Sequence, residues 1–211
     1  MDLERELKFS LSDSPPDEEV LIDAFRGSGF ALEPRGTWRQ RDEYSDTPEG
    51  ALRAAGVALR CRTVAGTRVG TLKTLGRVSG PYHERDELEL PLTPGGAWPE
   101  ELLAHAERLA RFDRLRLAPR MTIATERRAY ALSRAGARLA ELCFDDVSAS
   151  APASEREALF REVELEAAPG VALAHLEAIV ERLERTVSLT PSSVSKLQRA
   201  EALLALGEVL E

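Results

Sequence analysis

Carboxylates recur in this sequence at even spacing. Glu4 and Glu6 open the chain, Glu87 and Glu89 follow, then Glu141 and Asp145, and finally Glu162, Glu164 and Glu166. On a β-strand, residues two apart share a face and stand roughly 6.6 Å apart. Carboxylates so placed repel, and rows on paired strands come closer still. A solvated face would mix signs with Ser and Thr, whereas rows of one sign call for a compensating cation. The basic residues repeat the arrangement. Lys8 continues the row of Glu4 and Glu6, Arg60 pairs with Arg62, Lys73 and Arg127 fall on later strands, and Arg85 shares the face of Glu87. Guanidinium groups grip phosphate oxygens in pairs, and lysine acts as a point charge. Mg²⁺ takes a few carboxylates and completes its shell from substrate oxygens. Together these groups suit a divalent metal and a short polyphosphate.

The elements that must carry them follow from periodicity. Residues 2–9 alternate, with Leu3, Arg5, Leu7 and Phe9 opposite the charged row, which predicts a strand. Pro15 and Pro16 precede a helix that stops near Gly27 or Gly29. A strand is expected around Trp38–Tyr44, then a short helix capped by Asp46 and Thr47 and ended by Gly56. Residues 57–64 and 67–75 read as a hairpin about Ala65-Gly66, and 83–92 as a strand ended by Pro91 and Pro94. Residues 98–112 predict a helix, 122–133 and 137–147 a second hairpin about Ala135-Gly136, and 160–167 an eighth strand. Two helices close the chain, the last beginning at Thr190-Pro191. The fold class is α+β. Eight antiparallel strands close into a barrel with a polar interior, which removes their edges, and helices pack outside. Residues 1–211 read as one domain.

Parity separates neighbours. Asp145 matches Glu141, while Asp146 falls on the apolar face of Leu142 and Phe144. Cys61 lies opposite Arg60 and Arg62 and reads as core. Tyr44 and Trp38 read as barrel packing, and His83, His105 and His175 receive no site.

Composition narrows the partners. The 211 residues are 43% hydrophobic, enough for a core, and 28 basic against 36 acidic residues leave a net charge of −8. An acidic chain is a poor match for duplex nucleic acid. No run approaches the ~18 apolar residues of a membrane helix. Two cysteines without metal-ligand spacing, and a charged start unlike a secretory signal, predict a cytoplasmic protein. A monomer or a homodimer fits equally.

The ordered blocks resemble a known family. Glu4-Arg5-Glu6-Leu7-Lys8 matches the E-x-E-x-K signature of the CYTH superfamily, the triphosphate tunnel metalloenzymes. Residues 42–62, the strand with Lys73, the Arg85-x-Glu87-x-Glu89 block, Arg127 with its nearby aromatic, the acidic strands at 139–146 and 161–167, and Ser195-Lys196 resemble later family blocks in order. The resemblance implies a tunnel that hydrolyses or cyclises triphosphates with Mg²⁺ or Mn²⁺, two ions in all. It implies that Lys8, Arg60, Arg62, Lys73, Arg85, Arg127 and Lys196 hold the phosphates. Metal would sit on Glu4, Glu6, Asp145, Glu162 and Glu164, with Glu4, Glu6 and Lys8 central to catalysis. Glu87, Glu89, Arg120 and Glu141 rank second. The expected substrate is inorganic tripolyphosphate, split to pyrophosphate and phosphate. A class IV adenylate cyclase, a thiamine, nucleoside or RNA triphosphatase, and a non-catalytic polyphosphate-binding module are the alternatives.

Overall fold

The computed structural model describes residues 1–92, 97–152 and 154–208. Eight strands form the barrel: β1 (Asp2–Leu11), β2 (Phe30–Asp46), β3 (Val57–Val64), β4 (Thr67–Thr74), β6 (Tyr82–Leu92), β7 (Ala118–Arg134), β8 (Ala137–Ser150) and β9 (Glu157–Ala167). They pair in the order β1-β9-β8-β7-β2-β3-β4-β6, every pair antiparallel. The ring closes where β1 meets β6, from Asp2 opposite Glu87 to Leu7 opposite Tyr82. Two three-residue strands extend the seams. β5 (Arg77–Ser79) takes the edge of β6 beyond β4, and β10 (Leu189–Pro191) takes the edge of β1 beyond β6. Gly76 makes the step into β5 feasible. Its φ is +64°, and a Cβ there would stand 2.1 Å from the carbonyl oxygen of Glu84.

Alternation sorts each strand into an outer and an inner face. Outward residues Leu7, Phe9, Tyr130, Leu132, Leu142, Phe144, Val163 and Leu165 are buried beneath two helices. These are α1 (Glu18–Phe25), with Leu21 and Phe25 one turn apart, and α4 (Leu173–Leu183), with Leu176, Ile179 and Leu183. A second outer cluster joins Leu59 and Leu72 to α2 (Ala51–Ala54) and α3 (Glu100–Ala110) through Leu52, Leu102 and Ala106. Truncating a side chain such as Leu142, wholly excluded from solvent, costs about 2–5 kcal/mol. A third cluster shares the inner faces. Tyr44, Met121, Ile123, Val147, Ala149, Ala158 and Phe160 pack against Ala200 and Leu204 of α5 (Lys196–Glu208). The barrel interior is therefore apolar under α5 and charged beyond it. Among the described residues, no helix is long and apolar enough to cross a membrane.

Several boundaries differ from the sequence reading. β2 starts at Phe30, well before Trp38, because residues 30–37 pair with β7 through a bulge between Pro34 and Gly36. Thr190-Pro191 does not start a helix. It lies in β10, and α5 begins at Lys196 behind a different cap. Pro94 lies outside the described residues. Tyr44 and Cys61 are buried as expected, Tyr44 in the apolar inner cluster, while Trp38 is only half-buried.

Candidate functional site

The inner faces converge on one cavity of about 340 Å³, within the range of small-molecule sites. β1 supplies Glu4, Glu6 and Lys8, β3 Arg60 and Arg62, β4 Lys73, β6 Arg85, β7 Arg127, β9 Glu164 and α5 Lys196, and all of these line it. Every phosphate-binding candidate from the sequence is thus brought to the same space. Arg120 and Arg53 also line it, both of them exposed. The chain contains three lysines, Lys8, Lys73 and Lys196, and all three point into this cavity. Cations on the rest of the surface are arginines.

Three carboxylates, Asp145 on β8 with Glu162 and Glu164 on β9, bring one oxygen each within 4.8 Å of one another. Asp145 and Glu162 sit opposite in register. Lys196 Nζ reaches all three, at 2.6 Å from Asp145, 3.1 Å from Glu162 and 3.6 Å from Glu164. Arg127 forks onto Asp145 at 2.8 and 2.6 Å and also bonds Glu164, which accepts from Lys8 as well. Burial opposes charge on Glu164, yet Lys196, Lys8 and Arg127 hold its carboxyl well below the ordinary range. Asp145 is lowered too, against its burial, by Lys196 and Arg127. Glu162 goes the other way. Burial raises it, the pull of Lys196 and Lys8 does not compensate, and Glu164 and Asp145 add to the rise. Its Oε1 makes no hydrogen bond, since Lys196 approaches it outside hydrogen-bonding geometry. An added cation would relieve this group.

Glu4 and Glu6 stand outside that triad. Glu4 accepts from Lys73 at 2.8 Å and Arg85 at 2.6 Å, and Glu6 accepts from Arg85 with Lys8 3.4 Å away. Lys73 and Arg85 outweigh burial and bring the Glu4 carboxyl down to about 2. Glu166 opens to solvent at the tunnel end. Burial of its stem, with Glu4 and Glu6 nearby, pushes it up to about 7.

Asp42 on β2 escaped the sequence reading. It has no solvent exposure, receives Arg62 in a fork at 2.8 and 2.7 Å, and lies 3.5 Å from Arg60. Arg60 and Arg62 hold it at about 2 in spite of burial. Parity against Arg60 and Arg62 carried the signal, because Asp42 faces Arg62 in register. Arg60 also approaches Glu87 and Glu89, each at 3.7 Å, but the Glu89 side chain is half exposed. Glu141 keeps the inward parity yet pairs with the exposed Arg138, away from the cavity. Asp146 turns outward to Arg161, as parity required.

Two local devices hold the frame. Asp46 accepts the backbone N–H groups of Thr47, Leu52 and Arg53, and Thr47 Oγ1 accepts that of Ala51, so both residues cap α2. At α5, Ser195 Oγ accepts from the N–H of Gln198, and Gln198 Oε1 accepts from that of Ser195. This reciprocal capping box places Lys196 at the first helical position.

Solved structures resemble this architecture. A Hippeastrum protein, HpAC1, described as a candidate adenylyl cyclase with a dominant triphosphatase activity, superposes with a TM-score of 0.64 at 21% identity, covering 94% of this chain and 95% of that one. A candidate adenylate cyclase from Bacillus halodurans gives 0.56 at 20% identity over 94% and 98%. A Pyrococcus horikoshii OT3 protein gives 0.51 at 18% over 97% and 99%. At these identities the likeness is one of fold. No curated protein matches the chain. The CYTH domain family matches residues 2–200, nearly the whole length. The chain belongs to the CYTH domain family.

Proposed function

We propose that the chain works as one tunnel domain that hydrolyses a linear triphosphate, foremost inorganic tripolyphosphate, with the help of a divalent metal. The observation that carries this reading is the triad Asp145–Glu162–Glu164, whose Glu164 lines the same cavity as Lys8, Arg60, Lys73, Arg85, Arg127 and Lys196 and whose three carboxylates all meet Lys196. The triad fits a hard divalent cation, Mg²⁺ or Mn²⁺. It offers one oxygen from each of its three residues, and Glu162 carries an oxygen, Oε1, that lacks a hydrogen bond. Glu4 and Glu6 would serve a second ion once Arg85 turns to substrate. When bound, divalent ions neutralise phosphate oxygens and make water a better nucleophile near neutral pH.

The chain's own residues supply the rest. Every inner cation named above is held by a carboxylate, so phosphate oxygens replace carboxylate oxygens without desolvating a free charge anew. Arg127 and Arg60 spread charge that builds on the transferred phosphoryl group. Lys8, held between Glu6 and Glu164, stays protonated, because those carboxylates raise it further than burial lowers it. The HpAC1 description supports hydrolysis over cyclisation. The test is phosphate release from tripolyphosphate with Mg²⁺ or Mn²⁺. Release that EDTA abolishes supports the proposal, no release above a Glu162→Ala control refutes it, and tight binding without turnover points to a binding module.

A nucleoside triphosphate is the second reading, favoured by apolar Leu75 and Val78, which line the cavity and are 58% and 38% exposed. Cyclic AMP or ADP formed from ATP faster than phosphate from tripolyphosphate would select it.

A further inference from the structure

We infer that His83 is a positioning residue that holds Lys196 in the tunnel by pinning the turn that leads into α5. This rests on the proposed triphosphate site, in which Lys196 is a phosphate and carboxylate partner. His83 lies on the inward row of β6, two residues from Arg85, and is 3% exposed. Its Nε2 is 2.9 Å from the carbonyl oxygen of Ser192. A carbonyl only accepts, so Nε2 carries the hydrogen. The N–H of Ser192 is engaged as well, donating to the carbonyl of Lys8 at 3.0 Å. Ser192 is therefore clamped on both backbone groups, one by the strand carrying Lys8 and the other by a side chain of the neighbouring strand. Pro191, which precedes it, has no N–H to contribute.

From this clamp the chain runs through Ser193 and Val194 to the Ser195–Gln198 capping box and delivers Lys196. The capping box fixes the helix start relative to itself, not relative to the barrel. Beyond Lys196, α5 meets the barrel through apolar packing of Leu197, Ala200 and Leu204, through Arg199, which donates to the Arg161 carbonyl and lies over Phe160, and through an ion pair of Glu201 with Arg53, all of them C-terminal to Lys196. Lys196 Nζ, by contrast, must meet Asp145 at 2.6 Å and Glu162 at 3.1 Å. A slip of about 1 Å breaks contacts of this kind. The imidazole is the one side-chain hydrogen bond joining β6 to this turn among the described residues.

The three lysines make the inference testable without turnover. Amine-specific acetylation of the metal-free protein, read peptide by peptide by mass spectrometry, reports Lys8 and Lys196 separately. In the wild type both react slowly. In His83→Ala, Lys196 is expected to react about fivefold faster or more, with Lys8 unchanged, as local opening of the α5 end demands. In His83→Gln, whose amide N–H can reach the same carbonyl, Lys196 stays protected. An unchanged Lys196 in His83→Ala overturns the inference, and so does an equal rise at Lys8, which signals general loosening. A second arm measures tripolyphosphate turnover in a double-mutant cycle. If His83 acts through Lys196, adding His83→Ala to Lys196→Ala costs nothing further, and additive losses overturn the inference. Should even the wild type fail to turn over tripolyphosphate, the proposed function falls while the labelling arm still decides the role of His83.

Discussion

Replacing Asp42 by Asn isolates one buried interaction whose size can be worked out. The carboxylate is fully enclosed and sits in the fork of Arg62, beside Arg60. Its ordinary value of 3.8 falls to about 2 in the fold. At 1.36 kcal/mol per unit, that gap corresponds to about 2 kcal/mol of stability. The group is depressed, so its contribution is complete above the unfolded value and lost as pH falls from about 4 toward 2. Asn offers one acceptor where the fork needs two, and its amide hydrogens face a guanidinium. Arg60, 7% exposed, would keep the Thr71 hydroxyl at 3.3 Å and, as charged partners, Glu87 and Glu89 at 3.7 Å. Leaving such a charge poorly paired brings the expected cost at pH 7 to about 2–4 kcal/mol. In a chain of this size that lowers Tm by roughly 5–15 °C. Urea unfolding followed by circular dichroism measures it. Tripolyphosphate should restore more stability to Asp42→Asn than to the wild type, because its oxygens replace the lost carboxylate. A variant within about 0.5 kcal/mol of the wild type at pH 7 would show that Asp42 does not hold the two arginines, and the reasoning fails.

Glu162→Gln keeps the shape of the triad and removes one charge, so Mn²⁺ affinity should fall about 10–100-fold with Tm nearly kept; calorimetric titration giving an unchanged Kd would remove Glu162 from the metal site. Lys8→Arg puts a wide fork where a point charge meets Glu164 and Glu6, and kcat/KM for tripolyphosphate should drop at least about tenfold, whereas full activity would make the lysine incidental. The metal-free protein should lose stability as pH rises from about 4.5 to 7. Glu162, Glu87 and Glu166 are raised in the fold, so it takes up protons more readily than the unfolded chain there, while Glu4 and Asp42 contribute fully throughout. Mg²⁺ should flatten that decline, and a urea midpoint that climbs over the same range in EDTA contradicts the assignment.

Strand parity made much of this site legible before any coordinates. Alternation in residues 2–9 and 160–167 placed Glu4, Glu6, Lys8, Glu162 and Glu164 inward, and separated Asp145 from Asp146. Alternation within β2 alone did not single out Asp42, because both faces of that strand are charged; only its register against Arg62 does. Arg41, Asp42 and Glu43 are a continuous charged run, yet Arg41 and Glu43 pair with each other outside while Asp42 is buried. Parity also says nothing about where a row leaves the barrel, which is why Glu141 and Glu89 drift to its ends. The start of α5 was misplaced because Thr-Pro mimics a cap and first turn. A proline on the edge of a three-residue strand gives the same local pattern, and only the pairing with β1 distinguishes them. His83 offered no sequence signal, since its partner is a backbone carbonyl more than a hundred residues away.

The barrel closes on its first strand, and this orders events during synthesis. β1 pairs with residues 82–87, then with 161–166, and at its tip with 189–191. At the usual ribosomal pace of about 5–20 residues per second, the nascent strand waits roughly 10–30 s for β9. For that interval it is a free edge of the kind that templates aggregation. The glutamates and the lysine on one of its faces keep that edge charged and hydrated until its partners arrive. The groups proposed here to handle phosphate thus also guard the chain that carries them, and Glu4→Leu or Glu6→Leu would endanger the newborn protein before it could impair the finished one.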